Sequence, residues 1–199
     1  MKKIALCILM FAIILGTAGC RQEEKFITAD EVTVNTILAK SNGMLQVATV
    51  EDFSKEYYEL NELKNFIAEE VGAYNKKAGG DKVIIDDVKS SNGKAIMLLT
   101  YTGMDQYAAF NEVSAAYFSG GVENVGLNLP ETLVNAKDGT LSSTSEILKD
   151  AKNRILVMYE PYDIIVEGKI KYYSDNAKML SNDTIQSAPE GQTIVVFKP

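Results

Sequence analysis

The chain of 199 residues contains no histidine, no tryptophan and only two cysteines. Without histidine it lacks the commonest general base near neutral pH, the commonest metal ligand and the usual physiological pH switch. Without tryptophan it lacks the favoured platform for stacking on sugars and quaternary ammonium groups. Nothing in the acidic stretches, Asp81, Asp86–Asp87 or Asn182–Asp183, has the alternating oxygen spacing of a calcium loop. The G-x-S-x-G, P-loop and G-x-G-x-x-G patterns are also missing. These absences point away from metal centres, nucleotide cofactors and histidine-assisted nucleophiles, so no cofactor, metal ion or catalytic residue is assigned. Chemistry built on carboxylates alone stays open.

What is present begins at the N-terminus. Lys2 and Lys3 precede an unbroken apolar run from Ile4 to Leu15, followed by the small residues Gly16, Thr17, Ala18 and Gly19. This is the anatomy of a secretory signal peptide over residues 1–19, and the run is too short for the ~20 residues a membrane-spanning helix needs. Thr17-Ala18-Gly19-Cys20 resembles the lipobox of bacterial lipoproteins. Ala18, Gly19 and Cys20 match that pattern, and Thr17 stands where Leu, Val or Ile is usual. The resemblance implies that the Cys20 sulfur carries a diacylglycerol and that Cys20 becomes the new N-terminus. Cysteine arithmetic agrees: Cys7 leaves with the signal, so Cys20 has no intramolecular partner. Ordinary cleavage after Ala18 or Gly19, leaving a free thiol, is the alternative.

Loss of residues 1–19 removes two lysines and no acid, which takes the formal charge from −7 to −9 over 180 residues. That balance argues against nucleic acid and against anionic headgroups as partners. The expected partners are the lipid bilayer, through acylated Cys20, and a protein of the envelope.

Residues 20–31 read as a polar tether, and 32–199 as a single α+β domain. In that domain 32–121 reads as two β-hairpin-plus-helix units, 122–153 as irregular, and 154–199 as an antiparallel β-rich section. Asn42–Gly43 and Asn92–Gly93, fifty residues apart, each sit between β-rich runs as hairpin turns. Leu60, Leu63, Phe66, Ile67, Val71 and Tyr74 predict an amphipathic helix over 59–77, stopped by Gly79–Gly80. A second helix is expected from an N-cap at Thr102, carrying Tyr107, Phe110, Val113 and Tyr117 inward to Gly120–Gly121. A short helix is expected over 145–152.

Two sets of residues are candidates for function. Ten tyrosines, against no tryptophan, suggest a binding face in YEPYDIIVEGKIKYYS, made by Tyr159, Tyr162, Tyr172 and Tyr173. For the rival reading, a carboxylate-dependent envelope hydrolase, the candidates are Asp86, Asp87 and Asp163. Adjacent residues of a regular strand face opposite ways, so Asp86 and Asp87 are not expected to share a site.

The lipobox-like start, ELNELKNFIAEEVGAYN at 59–75 and VEGKIKYYSDNAKML at 166–180 resemble small lipoproteins of low-GC Gram-positive bacteria that have no assigned activity. The resemblance implies lipid-anchored display on the extracytoplasmic face of the cytoplasmic membrane. The resulting expectation is a non-enzymatic binding or structural module of the cell envelope.

Overall fold

A computed structural model of the chain describes residues 25–121 and 126–199. The expected signal peptide, Cys20 and the expected tether up to residue 24 lie outside the described residues. The described chain is β-rich and mixed α/β, with a β-rich C-terminal part, and its strands form two sheets.

The hairpin around Asn42–Gly43 is formed by β1 (Thr36–Ala39) and β2 (Leu45–Asp52). Helix α1 (Leu60–Ala78) follows, and then the hairpin of β3 (Val83–Ser91) and β4 (Lys94–Tyr101). Helix α1 forms because Leu60, Leu63, Ile67, Val71 and Tyr74 recur at helical spacing and pack on the core. It ends where Gly79 takes the left-handed conformation (φ 74°), with Lys76 and Lys77 in the last turn. Phe66, expected on the buried stripe, is 60% exposed instead. Asn75 joins the helix end to the sheet. Its side-chain oxygen accepts from the N–H groups of Lys82 and Val83 (both 2.9 Å), and its amide donates to the Val83 carbonyl (2.7 Å).

The second helix is shorter than its spacing predicts. Helix α2 (Met104–Asn111) begins after Gly103 rather than Thr102, and Glu112 ends it with a left-handed φ of 56°. Val113 and Tyr117 are therefore not helical. Ala115–Ser119 is strand β5, whose β-prone residues pair with the later β8 (Arg154–Met158). Within the stretch expected to be irregular lie β6 (Thr132–Asn135), β7 (Leu141–Ser143) and the one-turn α3 (Thr144–Leu148).

The C-terminal strands do not form a separate meander. They are β9 (Asp163–Val166), β10 (Lys169–Tyr173), β11 (Lys178–Met179), β12 (Thr184–Gln186) and β13 (Thr193–Lys198), and they divide between the sheets. The first sheet has the order β11-β12-β9-β1-β2-β4-β3, and the second β5-β8-β13-β10-β6-β7. Strand β9 lies parallel to β1, so the C-terminal section is not wholly antiparallel. A parallel partner needs a long connection, and here the whole of 40–162 supplies it.

The sheets face one another across the main core. Ile37, Leu45, Val47 and Ile164 of the first sheet meet Leu156, Met158, Val195 and Phe197 of the second, with Tyr101 and Tyr107 closing one side. A smaller core, containing Leu133, Ile147, Ile155 and Val196, lies on the outer face of the second sheet. The outer face of the first sheet is covered by the chain before β1. Ile27, Ala29 and Val32, all under 9% exposed, pack on Leu38, Ala48, Ile96 and Leu98. Residues 25–31, expected to be tether, are thus laid against the domain. Gln46 fixes them there, its side-chain oxygen accepting from the Ile27 N–H at 2.8 Å.

Candidate functional site

Where the covering segment ends, the outer face of the first sheet opens into a cleft of about 500 Å³, within the usual range for ligand pockets. Apolar surface comes from Val34, Val50, Pro161 and Pro189, and polar groups from Asn35, Lys94, Asp163 and Gln186. Lys94 opens β4 and Asp163 opens β9, with β1 and β2 between them in the sheet. Three inter-strand spacings and a register offset of four residues, from Leu98 (level with Asp163) to Lys94, separate the two positions by about 20 Å. The cleft is therefore a groove across four strand ends, with a carboxylate at one end and an ammonium at the other.

Its walls are held by backbone bonds. Asn35 accepts from the Val50 N–H through its side-chain oxygen (2.8 Å) and from the Asp163 N–H through its carbonyl (2.9 Å), bridging β2 and β9. Ser187, 6% exposed, grips Tyr162 from the other side. Its N–H donates to the Tyr162 carbonyl (2.9 Å), and its hydroxyl accepts from the Tyr162 N–H (2.7 Å) while donating to the Glu160 carbonyl (3.1 Å). Gln186 donates to Asp163 Oδ1 over a longer 3.4 Å. Behind the wall, Tyr162 packs into the main core beside Tyr107, whose hydroxyl is pushed far up by burial and further by Tyr162 and Glu160. Oε2 of Glu160 is buried and accepts no hydrogen bond.

Of the four tyrosines proposed as a binding face, only Tyr162 lines the groove. Tyr159 is 42% exposed, and its hydroxyl accepts from Gln192 at 2.9 Å. Tyr172 and Tyr173 are neighbours on β10, opposite Val196 and Val195, so Tyr172 joins the outer core and Tyr173 the main core. The four do not make one surface, because strand alternation divides the Tyr172–Tyr173 pair. A different aromatic group reaches the surface beside the Lys94 end. Phe53 stacks on Tyr58 (5.1 Å between centroids, 24°), and Tyr57 stands edge-on to Tyr58 (4.9 Å). The Phe53 N–H donates to the Gly93 carbonyl (2.7 Å), which holds this group next to the β3–β4 turn.

The three aspartates do not converge. A β-bulge between Ile85 and Asp87 breaks the alternation that would have set Asp86 and Asp87 on opposite faces. Asp86 accepts from Thr100 (2.6 Å) and Gln46 (3.4 Å), while Asp87 stands opposite Leu98, so both lie on the outer face and both are exposed. Strand β3 is four places from β9 in the sheet, about 19 Å. That is too far for either to act with Asp163 on one bond. Ser91 and Lys94 have the Ser-x-x-Lys spacing, but they are the paired ends of the Asn92–Gly93 turn, both exposed. Among the described residues no three His, Cys, Asp or Glu side chains are grouped to hold a metal ion, and no helix is long and apolar enough to cross a membrane.

The groove residues come from five separate parts of the sequence, and only the parallel pairing of β1 with β9 brings residues 33–35 beside 161–163. Two prolines at its rim, Pro161 and Pro189, were the nearest thing to a local signal. No family model, curated protein or solved structure matches the chain.

Proposed function

We propose that the protein is a non-enzymatic binding module of the bacterial cell envelope, held on the extracytoplasmic face of the cytoplasmic membrane through acylated Cys20. In this reading its groove takes an extended segment of an envelope protein. The observation that carries the binding role is the groove's polarity: an apolar floor of Val34 and Val50 between Asp163 and Lys94. A span of about 20 Å suits roughly six residues of extended chain, with a basic group toward Asp163 and an acidic group toward Lys94. The anchoring rests on the lipobox-like motif and the lone cysteine of the processed chain.

In the same reading, β1–β2–α1 and β3–β4–α2 are two β-hairpin-plus-helix units built on the same plan.

The test combines two measurements on cells. The mass of the N-terminal peptide from the membrane fraction, beside a Cys20→Ala control, reads the anchor. A photo-crosslinking amino acid replacing Val34, with Phe66 as the control position, reads the groove. A crosslinked protein that depends on position 34 and is lost on Asp163→Lys supports the reading. Equal crosslinking from both positions, or indifference to Asp163→Lys, defeats it.

A further inference from the structure

We infer that the two ends of the strands face opposite ways at the membrane: the end where the chain joins the domain rests on anionic lipid, and the groove end points away. The inference rests on the anchoring reading above and deepens it.

The first ground is chain length. Four residues separate Cys20 from Lys25, so an acylated Cys20 stays within about 17 Å of Lys25 however those residues run. Lys25 is held in place, its ammonium paired with the Asp183 carboxylate and donating to the Val166 carbonyl at 3.3 Å. Val166 and Asp183 mark one end of β9 and the start of β12. From there the chain runs back along the outer face, with Ile27, Ala29 and Val32 buried, and reaches the groove at Thr33. Strand β2 runs from the joining end at Leu45 to the groove end at Asp52, which sets the two ends about 24 Å apart. Lipid tethered at Cys20 therefore meets the Lys25 end first.

The second ground is charge. Around the ends of β9, β10 and β13 at the joining end stand Lys25, Lys152, Arg154, Lys169, Lys198 and the buried Lys40, with Asp150, Glu167 and Asp183 among them, while Asp81 and Lys82 offset one another at the β3 edge of the same end. Their places follow from contacts. Lys198 pairs with Asp150 (2.6 Å) and stands opposite Lys169, while Arg154 Nε donates to the Ser41 carbonyl (3.4 Å). At the groove end Asp52 stands directly opposite Lys94 with Glu51 next to it, and Asp163 lies at the far end of the groove. A processed chain with a formal charge of −9 thus sets six of its eighteen cations around the end nearest the anchor. The net charge, which argues against anionic headgroups, conceals a local charge that suits them. The third ground is apolar exposure. Phe26, 60% exposed with the Lys40 ammonium 4.0 Å over its ring, and Leu180, 48% exposed on the β11–β12 turn, flank Lys25. An aromatic ring among lysines is what an interfacial contact uses.

The absence of tryptophan provides the test. Phe26→Trp and Tyr57→Trp each create a single fluorophore, one at each end, at positions 60% and 73% exposed. Each full chain is expressed with its own signal, purified from the membrane fraction, checked for the adduct by N-terminal peptide mass, and reconstituted into vesicles containing brominated phosphatidylglycerol. Phe26→Trp is expected to lose severalfold more emission than Tyr57→Trp and to shift to shorter wavelength. Leu180→Trp, as a second reporter, follows Phe26→Trp. Replacing the anionic lipid by brominated phosphatidylcholine, or adding Lys152→Glu with Lys169→Glu, narrows the difference. Equal quenching from the two ends in lipidated protein overturns the orientation and leaves the anchor standing. An unmodified Cys20 overturns both.

Discussion

Glu167 holds Ser41 by both of its donors: one carboxylate oxygen accepts the backbone N–H at 2.9 Å and the hydroxyl at 2.5 Å. Glu167 sits between β9 of the first sheet and β10 of the second, and Ser41 is in the β1–β2 turn. The pair therefore ties the turn to the crossing between sheets. Partial burial pushes the carboxyl up, but the two bonds from Ser41 and the charges of Lys40 and Lys25 outweigh it and hold it below its ordinary value. A carboxyl with a lowered folded pKa adds stability above its unfolded pKa and loses it as pH falls through the folded one. Glu167→Ala should cost about 1 kcal/mol at pH 7, allowing for solvent screening. Urea unfolding should show that difference shrinking as pH falls below about 4. An equal difference at pH 7 and pH 3 would mean that the contact stabilises by packing alone.

Asn75 makes three side-chain bonds to residues 82 and 83, two accepted and one donated. Asn75→Ala leaves two N–H groups and a carbonyl without these partners at the start of an edge strand. A loss of about 2–3 kcal/mol is expected from the number of bonds. Asn75→Asp keeps the acceptors but sets a carboxylate against the Val83 carbonyl, so it should not rescue. Amide hydrogen exchange at Lys82 and Val83 should accelerate in Asn75→Ala. Protection unchanged in Asn75→Ala would show that the helix alone holds β3.

Two glycines with positive φ separate backbone strain from steric closure. A Cβ on Gly168 (φ 151°) would lie 2.2 Å from the Lys198 carbonyl oxygen and 2.9 Å from Pro199 Cα, both backbone atoms. A Cβ on Gly139 (φ 73°) meets nothing within 4 Å. Gly139→Ala should therefore cost only the left-handed penalty, about 1–2 kcal/mol. Gly168→Ala must also displace the last turn of β13 and should cost upward of about 3 kcal/mol. Comparable melting temperatures for the two variants would show that the C-terminus yields without cost.

Legibility in the sequence followed the range of the interaction. The first helix was plain because nineteen residues carry one amphipathic period and glycine stops it. The second was overextended because Tyr107, Phe110, Val113 and Tyr117 keep helical spacing across Glu112, a non-glycine residue at a left-handed φ that gives no warning. The bulge that turns Asp86 and Asp87 to one face is equally silent, with no glycine to mark it. The groove was the least legible part, since it depends on β9 lying parallel to β1 across more than a hundred residues of intervening chain. By contrast, the division of Tyr172 from Tyr173 was available from strand alternation alone, as soon as KIKYY was read as a strand.

The tyrosines give the last prediction, at alkaline pH. Burial raises the hydroxyl of Tyr117 to about 12, with Glu167 adding to the effect and Arg154 opposing it. Burial likewise drives Tyr101 and Tyr107 far above their ordinary value. Tyr117 donates to the carbonyls of Lys40 and Ser41 at 3.1 and 3.2 Å, which a phenolate cannot do. A raised folded pKa means that the stabilisation is complete below the unfolded value near 10 and is lost as pH rises through the folded one. Stability should thus fall between about pH 10 and 12 as the unfolded chain gains the freedom to ionise. After a pH jump, the phenolate absorbance should rise in a fast phase and then in a slow phase that coincides with loss of circular dichroism. The slow phase should account for three of the ten tyrosines, and for one fewer in Tyr117→Phe. That variant keeps its ring against Phe197, so its secondary structure at neutral pH should be unchanged. If all ten ionise in the fast phase while the circular dichroism holds, the aromatic core around Tyr101, Tyr107 and Tyr117 is open to water, and the packing between the two sheets is looser than these contacts require.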